Sequence, residues 1–487
     1  MQKTPNILVF MTDQQRGDSL TNPLIKMPNM RALMKDGLHF ENTHCPSPHC
    51  CPSRATFFTG QYPTEHGVWN NVCVQNTLSD RLNPGTTLFS ESFAKQNYYL
   101  GYSGKWHVSF KTGPEDHGFE ENYVTSNKNT KPDEATAHMS AGWEVYKKLA
   151  ETLDENTNAP RAMGQIKRPG YPTYNHYGMK ENPFNDLDVV NAAIEKLKEI
   201  PEDGQPWMYY IGTLGPHDPY FVPQRFLDMY KDVDIELSDI HFDDLQDKPH
   251  LYQRTQKAFN QLTVAEKKDA ILHYMAFCTY EDYLFGLVIE TIKKRNDFDD
   301  TLILLTSDHG DYNGEHGLWC KGLPAFKGAY HIPAIISWKN GIKNPNRTIS
   351  EAVSLADFAP TFLELIGEDT STLTGKSLVP FINDEQPEKW REYSFTQTNG
   401  NEIYGIQRAV FSDKWKLVYN SFDHDELYNL EDDPDELVNL ASNDKYDSIK
   451  KTLYIELWSF AESVNDKCLN PYIMVGLAEY GPAYAYK

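Results

Sequence analysis

Acidic side chains follow two strand-like apolar runs of the sequence, at the point where each run ends. Asp13 and Gln14 follow NILVFM after one intervening residue, and Asp308 and His309 follow TLILLT at the same spacing. In open α/β sheets, binding sites form beyond the carboxyl ends of the strands, so these side chains are expected to meet at one edge. Oxygen-rich ligation favours Ca²⁺, Mg²⁺ or Mn²⁺ over Zn²⁺. The alternative is that each acidic residue only caps the following helix, but two pairs at equivalent strand ends favour a metal site.

The stretch HCPSPHCCPSR, residues 44–54, places three cysteines within seven residues and admits several kinds of chemistry. A zinc site built from these cysteines and His49 would lack the paired spacing of the usual zinc motifs. A disulfide framework is not indicated, because the seven cysteines of the chain are an odd number and those outside this stretch are scattered. A thiolate nucleophile at Cys50 is the remaining alternative, since a helix N-terminus there would lower the pKa of the thiol.

Basic residues and histidines elsewhere could bind an anion or move a proton. His217 stands between two prolines in GPHDP, where it is either a general acid or a turn residue. Lys105 and His107 lie one residue apart in GKWH, and on an extended strand both side chains would face the same way. Lys321 alone would be a solvated surface lysine. Together with Arg54 and Lys105 it would instead bind a tetrahedral oxyanion.

The elements that must position these residues indicate an α/β fold. Nearly continuous apolar runs are typical of strands buried on both faces of a parallel sheet, and they occur at 6–11, 207–212 and 301–306. Helical periodicity separates these runs at 186–200 and from about 264 to 295. The prediction is therefore a large mixed, mostly parallel sheet sandwiched by helices.

The C-terminal part of the sequence changes character. Short alternating strands followed by a helical pattern predict a small antiparallel sheet with a covering helix. We therefore predict a catalytic domain over 1–385, a C-terminal antiparallel-sheet subdomain over 386–466 and a tail over 467–487. The aromatic-rich tail packs either on its own domain or on a neighbouring subunit of a homo-oligomer.

Composition limits the classes of partner. The 487 residues carry a formal net charge of −23, which argues against general nucleic-acid binding. No segment approaches the roughly 18 consecutive apolar residues of a membrane span. The sequence as written has no signal peptide and is predicted to be cytoplasmic, or periplasmic or secreted if a leader has been removed.

The residues from Cys50 to Gly60 match the pattern C-x-P-S-R-x-x-x-x-T-G, and on this motif the sequence resembles the type I sulfatases of the alkaline phosphatase superfamily. In that family the motif cysteine is oxidised after translation to formylglycine (3-oxoalanine). The stretch LYNLEDDPDELVNLA (427–441) resembles the family's C-terminal subdomain. Other family motifs have counterparts in the expected order at Asp13 and Gln14, Lys105 to His107, His217, Asp308 and His309, and Lys321.

The resemblance implies a sulfuric ester hydrolase whose nucleophile is hydrated formylglycine. The implied metal ligands are Asp13, Gln14, Cys50 (as formylglycine), Asp308 and His309. The implied catalytic residues are Cys50, Arg54, Lys105, His107, His217 and Lys321. The three cationic side chains would bind the sulfate oxygens, and His217 with Lys321 would bind or protonate the departing alkoxide. His107 or the metal-site aspartate Asp308 would be the base that releases sulfate.

Cofactors and substrate follow from the same resemblance. It implies one divalent cation, Ca²⁺ first with Mn²⁺ or Mg²⁺ as alternatives, and a formylglycine-generating maturation enzyme as a partner.

Gln14 and His309 stand where the family often has aspartate and asparagine, and these variants also resemble choline-sulfatase-like enzymes and phosphonate monoester hydrolases. The leading hypothesis is that the substrate is a small-molecule or oligosaccharide sulfate ester, with a carbohydrate sulfate as the first choice. The alternative substrate is a phosphonate monoester or phosphodiester. Basic and aromatic residues cluster within 120–185, where they either form subsites for a sulfated sugar or belong to a packed surface lobe, which is the favoured interpretation for any single residue: Arg161, Lys167, Arg168, Tyr171, Tyr174, His176 and Tyr177.

Overall fold

The large sheet is built around the three apolar runs predicted as buried strands. The computed structural model describes residues 4–72, 77–124, 161–168, 171–387, 389–401, 403–470 and 478–486. In it these runs form Asn6–Thr12, Trp207–Gly212 and Thr301–Ser307, and every residue of the three strands is buried. Continuous burial follows from helices that cover both faces of the sheet.

The bounds of the elements are as follows. The strands are β1 Asn6–Thr12, β2 Gly37–Phe40, β3 Thr43–His44, β4 Tyr99–Gly104, β5 Glu120–Val124, β6 Gln165–Arg168, β7 Tyr171–Asn175, β8 Tyr177–Met179, β9 Trp207–Gly212, β10 Tyr220–Val222, β11 Thr301–Ser307, β12 Ala334–Ser337, β13 Arg347–Ile349, β14 Val353–Ser354, β15 Ser394–Gly400, β16 Tyr404–Phe411, β17 Trp415–Asn420 and β18 Glu426–Asn429. The α-helices are α1 Pro28–Lys35, α2 Cys50–Thr59, α3 Pro63–His66, α4 Phe89–Lys95, α5 Asp186–Glu199, α6 Gln224–Leu227, α7 His250–Lys257, α8 Val264–Ile292, α9 Lys327–Tyr330, α10 Phe358–Leu365, α11 Val379–Ile382 and α12 Asp447–Ser463.

The strand order of the large sheet is β13-β2-β12-β11-β1-β9-β4-β5. β1 pairs in parallel with both β9 and β11, whereas β12 runs antiparallel to β11 and β2. The sheet is therefore mixed and mostly parallel. Because β1, β9 and β11 point the same way, the segments that follow them lie at one edge of the sheet.

Alternate residues of β1 separate the two hydrophobic layers. Ile7 and Val9 pack into the layer that contains α2, α4 and α10. Leu8 and Phe10 pack into the opposite layer, with α1, α5 and α8. This alternation is the two-residue period of a strand, and it places α2 directly against the sheet. The predicted fold class is confirmed.

The C-terminal strands β15, β16, β17 and β18 form an antiparallel sheet in that order. On one face, Val410 and Leu417 pack against α12. On the other face, Ala409 and Val418 join the core of the large sheet. The C-terminal unit is thus bound to the rest of the chain through an apolar face. The domain boundaries at 385 and 466 stay predictions.

Part of the tail packs on the C-terminal unit itself. The indole of Trp458 in α12 donates to the carbonyl of Tyr480 at 2.7 Å, and the ring of Tyr480 contacts that of Tyr454. Residues 471–477 lie outside the described part of the chain, and an oligomer contact through the tail stays a prediction. Across the described residues, no helix combines the length and apolar character needed to cross a membrane.

Candidate active site

The carboxyl ends of β1 and β11 bring the two predicted acidic residues together. The parallel register pairs Thr12 with Ser307, so that Asp13 and Asp308 are the next residues along each strand. Both side chains are fully buried. A buried carboxylate requires hydrogen bonds or opposite charge. Asp308 Oδ1 accepts from the backbone N–H groups of Gln14 at 3.2 Å and of its own neighbour, residue 309, at 2.9 Å.

Arg54 donates to the Oδ2 atoms of both Asp13 and Asp308 and balances part of their negative charge. Its Nε donates to Asp308 Oδ2 at 2.8 Å, and Nη2 donates to Asp13 Oδ2 at 3.2 Å. Nη1 donates to the carbonyl of Lys105 at 3.1 Å and to the Tyr210 hydroxyl at 3.0 Å. Lys105 Nζ also contacts Asp13 Oδ2 directly. Burial opposes ionisation of Asp13, but the surrounding cations lower its pKa far below the ordinary value. These contacts hold the Oδ2 atoms of Asp13 and Asp308 towards the cationic side chains.

Cys50 is the first residue of the buried helix α2. Its Sγ lies 3.2 Å from His309 Nε2 and 3.8 Å from Asp13 Oδ1. Burial opposes ionisation of this thiol, but the positive charges of Lys105 and Lys321 lower its pKa well below the ordinary value. The start of α2 therefore presents an activated sulfur between the acidic strand ends.

Ligand atoms of Asp13, Cys50, Asp308 and His309 all lie within 4.8 Å of one another. His309 Nδ1 faces the carbonyl of Gly310 at 2.9 Å, which makes Nδ1 the protonated nitrogen. Nε2 then carries the lone pair of the ring, and it lies 3.6 Å from Asp13 Oδ1 and 3.7 Å from Asp308 Oδ1. Metal-ligating histidines show this division between their two nitrogens. The donor set fits a divalent cation.

Gln14 is bonded on every side. Its Nε2 donates to Asp311 Oδ2 at 2.6 Å and to Asp218 Oδ1 at 3.2 Å. Its Oε1 accepts from Lys321 Nζ at 2.8 Å. The backbone has a φ of 69°, and the Tyr274 hydroxyl donates to its carbonyl at 2.9 Å. Gln14 thus connects the acidic strand ends to the lysine, and its amide oxygen is occupied by Lys321.

His217 and Lys321 form a pair at the partly buried mouth of the cluster. His217 Nδ1 faces the carbonyl of Asp218 at 2.5 Å, so Nδ1 carries the proton and Nε2 accepts from Lys321 Nζ at 2.6 Å. Tyr174 donates its hydroxyl to Asp218 Oδ2 at 2.6 Å, and the ring of Phe184 meets His217 edge-on at 6.2 Å. The loop histidine is therefore part of the site rather than a turn residue.

The segment with Lys105 and His107 is not a strand, contrary to the conditional expectation from its sequence. β4 ends at Gly104, and His107 has a φ of 54°. Both side chains still reach the site. Burial opposes protonation of His107, yet its interactions with Cys51 and Cys50 raise its pKa well above the ordinary value. His107 therefore lies beside the first residues of α2.

The cysteines of the 44–54 stretch do not share a metal centre. Cys51 Sγ accepts the backbone N–H of Val72 at 3.3 Å, and Cys45 Sγ lies 3.8 Å from the carbonyl of Ala329. The cysteines in the described ranges are all free thiols. The zinc and disulfide alternatives thus gain no support from these residues, and Cys50 alone joins the cluster.

Among the residues of 120–185 named from the sequence, Tyr174 reaches the site. Arg161 instead pairs with Glu266 through its guanidinium, and His176 is packed among aromatic rings that include Trp319 and Tyr220. Tyr177 contacts the ring of His273. The side chains of Arg168 and Tyr171, together with residues 125–160, lie outside what the structure describes.

Sequence reasoning missed several contributors to the site. Tyr210 belongs to an apolar strand and was expected to be core, and no local signal marks its hydroxyl for Arg54. Asp218 follows His217 directly, and this position beside a predicted site residue was the available signal. Asp311 is visible in the same SDHGD segment as Asp308 and His309 but was not among the predicted site residues. Both carboxylates are organised by Gln14 rather than by the predicted metal cluster.

Known proteins resemble both parts of this chain. Residues 5–368 match the family model described as Sulfatase, and residues 314–463 match the model described as N-sulphoglucosamine sulphohydrolase, C-terminal. A choline-sulfatase of Rhizobium meliloti (strain 1021) is 30% identical over 460 residues, covering 90% of this chain and 83% of that protein. An arylsulfatase of Clostridium perfringens (strain 13 / Type A) is 26% identical over 490 residues, covering 95% and 96%.

Solved structures share the fold. The phosphonate monoester hydrolase of Agrobacterium radiobacter superposes with a TM-score of 0.75 at 22% identity, covering 98% of this chain and 99% of that one. A protein solved in complex with its substrate D-glucosamine-2-N,6-O-disulfate superposes with a TM-score of 0.74 at 19% identity, covering 96% and 99%.

Proposed function

Because the chain belongs to the sulfatase family and is a sulfuric ester hydrolase, we propose that it hydrolyses a carbohydrate sulfate with a formylglycine derived from Cys50. The observation that carries the proposal is the convergence of Asp13, Cys50, Asp308 and His309 within 4.8 Å. The cationic side chains of Arg54, Lys105 and Lys321 lie beside this cluster, as an anionic substrate requires. The metal-ligand and catalytic roles below are proposals for these residues.

A divalent cation would be held by Asp13, Asp308 and His309, with Gln14 and the modified Cys50 completing the set. Ca²⁺ is the first choice, with Mn²⁺ and Mg²⁺ as alternatives. When bound, the cation supplies Lewis acidity to a sulfate oxygen and to the hydroxyl of the hydrated aldehyde. Ligation of the cation by the amide oxygen of Gln14 would require Lys321 to release that oxygen.

The sulfate group would be bound by Lys105 and Lys321, with Arg54 as a fixed positive charge behind them. Arg54 is fully buried and anchored by four hydrogen bonds, so its role is to orient Asp13 and Asp308 and to supply fixed positive charge. The ammonium groups of Lys105 and Lys321 would bond sulfate oxygens directly. Preorganised charge in a water-poor site stabilises a transition state more than the same charge in water.

Protons would move through the histidines. His217 holds a proton at Nδ1 against the Asp218 carbonyl, and its Nε2 accepts a hydrogen bond from the ammonium of Lys321. The Lys321 ammonium, held by that nitrogen, would deliver a proton to the departing alkoxide oxygen of the ester. His107 lies beside Cys50 and is assigned the opposite task, the removal of a proton when sulfate is released.

A sugar sulfate is supported by two observations. The relative solved with a disulfated glucosamine shares the fold over 96% of this chain. In addition, Tyr174 and Phe184 place an aromatic rim beside His217, and aromatic faces with a hydroxyl are suited to the apolar and polar surfaces of a sugar. A small quaternary-amine sulfate is the competing substrate, because the choline-sulfatase is a relative across 90% of this chain.

The first experiment is the mass of the peptide that carries residues 45–54, from protein made with its maturation enzyme. We expect the Cys50 side chain as the aldehyde and Cys51 as an unmodified thiol. Cys50→Ala is expected to abolish sulfate-ester hydrolysis, whereas Cys51→Ala, the adjacent buried cysteine, is the matched control and should retain it. An unmodified Cys50 in fully active protein would refute the proposal.

A phosphonate monoester or phosphodiester hydrolase is the second candidate, supported by the shared fold of the Agrobacterium radiobacter enzyme. Turnover of an aryl sulfate, an aryl phosphonate monoester, choline sulfate and sulfated oligosaccharides separates the candidates. We expect the highest kcat/KM with a sulfated sugar. A phosphonate rate above every sulfate rate would assign the second function.

A further inference from the structure

A second cluster of metal-binding side chains lies away from the active site. We propose that His250, Asp423 and His424 bind a transition-metal dication such as Zn²⁺. His250 is the first residue of α7, and the other two stand in the turn between β17 and β18. Their ligand atoms lie within 4.8 Å of one another. The cation would join two elements 173 residues apart in sequence.

The carboxylate of Asp423 is the fixed centre of this cluster. Its Oδ2 accepts from the backbone N–H of His250 at 2.7 Å, and Oδ1 accepts from that of His424 at 2.9 Å. The Nδ1 atoms of the two imidazoles approach the same oxygens at 2.9 and 3.0 Å. The backbone bonds hold the carboxylate between the two rings, so little reorganisation is needed to bind a cation.

His424 supplies an independent sign that a cation belongs here. Its Nδ1 faces Asp423 Oδ1 at 3.0 Å, and its Nε2 faces the carbonyl of Asp247 at 3.2 Å. Both neighbours are acceptors, but a neutral imidazole has one N–H. The second nitrogen therefore needs either an added proton or a metal ion. A metal-ligating histidine donates its other nitrogen to a carbonyl or carboxylate, and Asp247 provides that carbonyl.

The surroundings favour positive ions. A cavity of about 510 Å³ adjoins the cluster and is lined by Asp247, Asp423, Asp425 and Glu479. Lys248 and Lys450 pair with two of these carboxylates, at Asp247 and Glu479. The remaining negative charge raises the local concentration of cations.

The types of ligand determine which metal ions this cluster favours. Two imidazoles and one carboxylate suit Zn²⁺, Ni²⁺ or Cu²⁺, whereas Ca²⁺ and Mg²⁺ prefer oxygen ligands. This preference differs from that proposed for the active site, where the carboxylates of Asp13 and Asp308 favour Ca²⁺. The exposed side of His250, 79% accessible, leaves room for water to complete the coordination. The bound ion would stabilise the packing of α7 against the β17–β18 turn.

The test uses the full chain with Zn²⁺ as the probe. Zn²⁺ is titrated in competition with a chromophoric chelator, in the presence of excess Ca²⁺. Wild type is expected to bind about one more Zn²⁺ per chain than the His250→Asn/His424→Asn variant, since that variant loses two of three ligands. Zn²⁺ should raise the Tm of the wild type and leave the Tm of the double variant unchanged.

Two further variants make the result specific. Asp308→Asn, which alters the active-site cluster, should keep the additional Zn²⁺. His117→Asn changes a histidine that pairs with Glu91 and should also keep it. Equal Zn²⁺ stoichiometry in wild type and double variant would overturn the proposal, and so would an equal gain in Tm. Both histidines of the double variant are exposed at the surface, so its circular dichroism spectrum should match that of the wild type.

Discussion

Replacing Arg54 with methionine tests whether the active-site carboxylates depend on a buried cation. Met has a similar length but no charge, so the change removes the bonds to Asp13 and Asp308 while filling most of the space. Removing one partner from a buried ion pair costs about 3–5 kcal/mol, because the remaining charge stays desolvated. With roughly 2 °C per kcal/mol for a large domain, Arg54→Met should lower the Tm by about 6–10 °C in chelator.

Added Ca²⁺ should recover much of this loss. A cation bound at Asp13 and Asp308 would take over the neutralisation that Arg54 provides, and binding to the native state stabilises by about 2.7 kcal/mol at a concentration 100-fold above the Kd. We therefore expect a larger Ca²⁺-dependent gain in Tm for Arg54→Met than for wild type. The assay is differential scanning fluorimetry in chelator and over a Ca²⁺ series.

The matched control is Arg408→Met in the C-terminal sheet. Arg408 is also buried and bonds both oxygens of Asp466, at 2.6 and 3.0 Å, an ion pair separate from that of Arg54 with Asp13 and Asp308. Arg408→Met should lower the Tm by a similar amount, and its gain in Tm on adding Ca²⁺ should equal that of the wild type. Equal Ca²⁺ gains in the two variants would refute the reasoning that Arg54 and the cation share one pair of carboxylates.

The remaining predictions concern protons and the mouth of the site. Burial and the nearby Asp186 raise the pKa of Glu281 well above its ordinary value, so the folded state binds an extra proton and stability falls as pH rises from about 4.5 towards the raised pKa. Glu281→Gln should therefore raise the Tm at pH 8 but not at pH 4, and parallel Tm–pH curves would contradict this. Lys321→Met should lower kcat for a sulfate ester by about 10²–10³-fold, because it removes a charged donor that also bonds His217; a change below threefold would exclude that role. Tyr174→Phe removes the hydroxyl bond to Asp218 and should lower kcat/KM by about fivefold, the equivalent of one hydrogen bond; unchanged kinetics would show that this bond does not orient the loop.

The sheet and its acidic edge could be predicted because they rest on short-range patterns. A continuous apolar run such as residues 6–11 is recognisable without knowing its neighbours, and β1 and β11 extend only one residue beyond the predicted strands. Parallel pairing then places Asp13 beside Asp308 by geometry alone. The helices over 186–199 and 264–292 follow from the same kind of periodicity.

The rest of the site depends on contacts that no local pattern encodes. Tyr210 sits in an apolar strand, and its hydroxyl matters only because Arg54 from α2 ends beside it. The bend that brings His107 to Cys50 uses a left-handed residue at a position where the sequence, GKWHV, is compatible with a strand. The C-terminal sheet likewise packs on both faces, which its alternating strands do not reveal until the partner surface is known.

Gln14 shows how this network explains a departure from the family pattern. Asp311 and Asp218 both approach its side chain, at 2.6 and 3.2 Å, and both present acceptors. On its other side Lys321 presents a donor at 2.8 Å. An amide can donate to the first two and accept from the third, whereas an aspartate at this position would be shorter and would place a third carboxylate against two others. Glutamine at residue 14 is therefore the choice that the neighbouring acidic residues require, and any ligation of the cation by its oxygen must compete with Lys321.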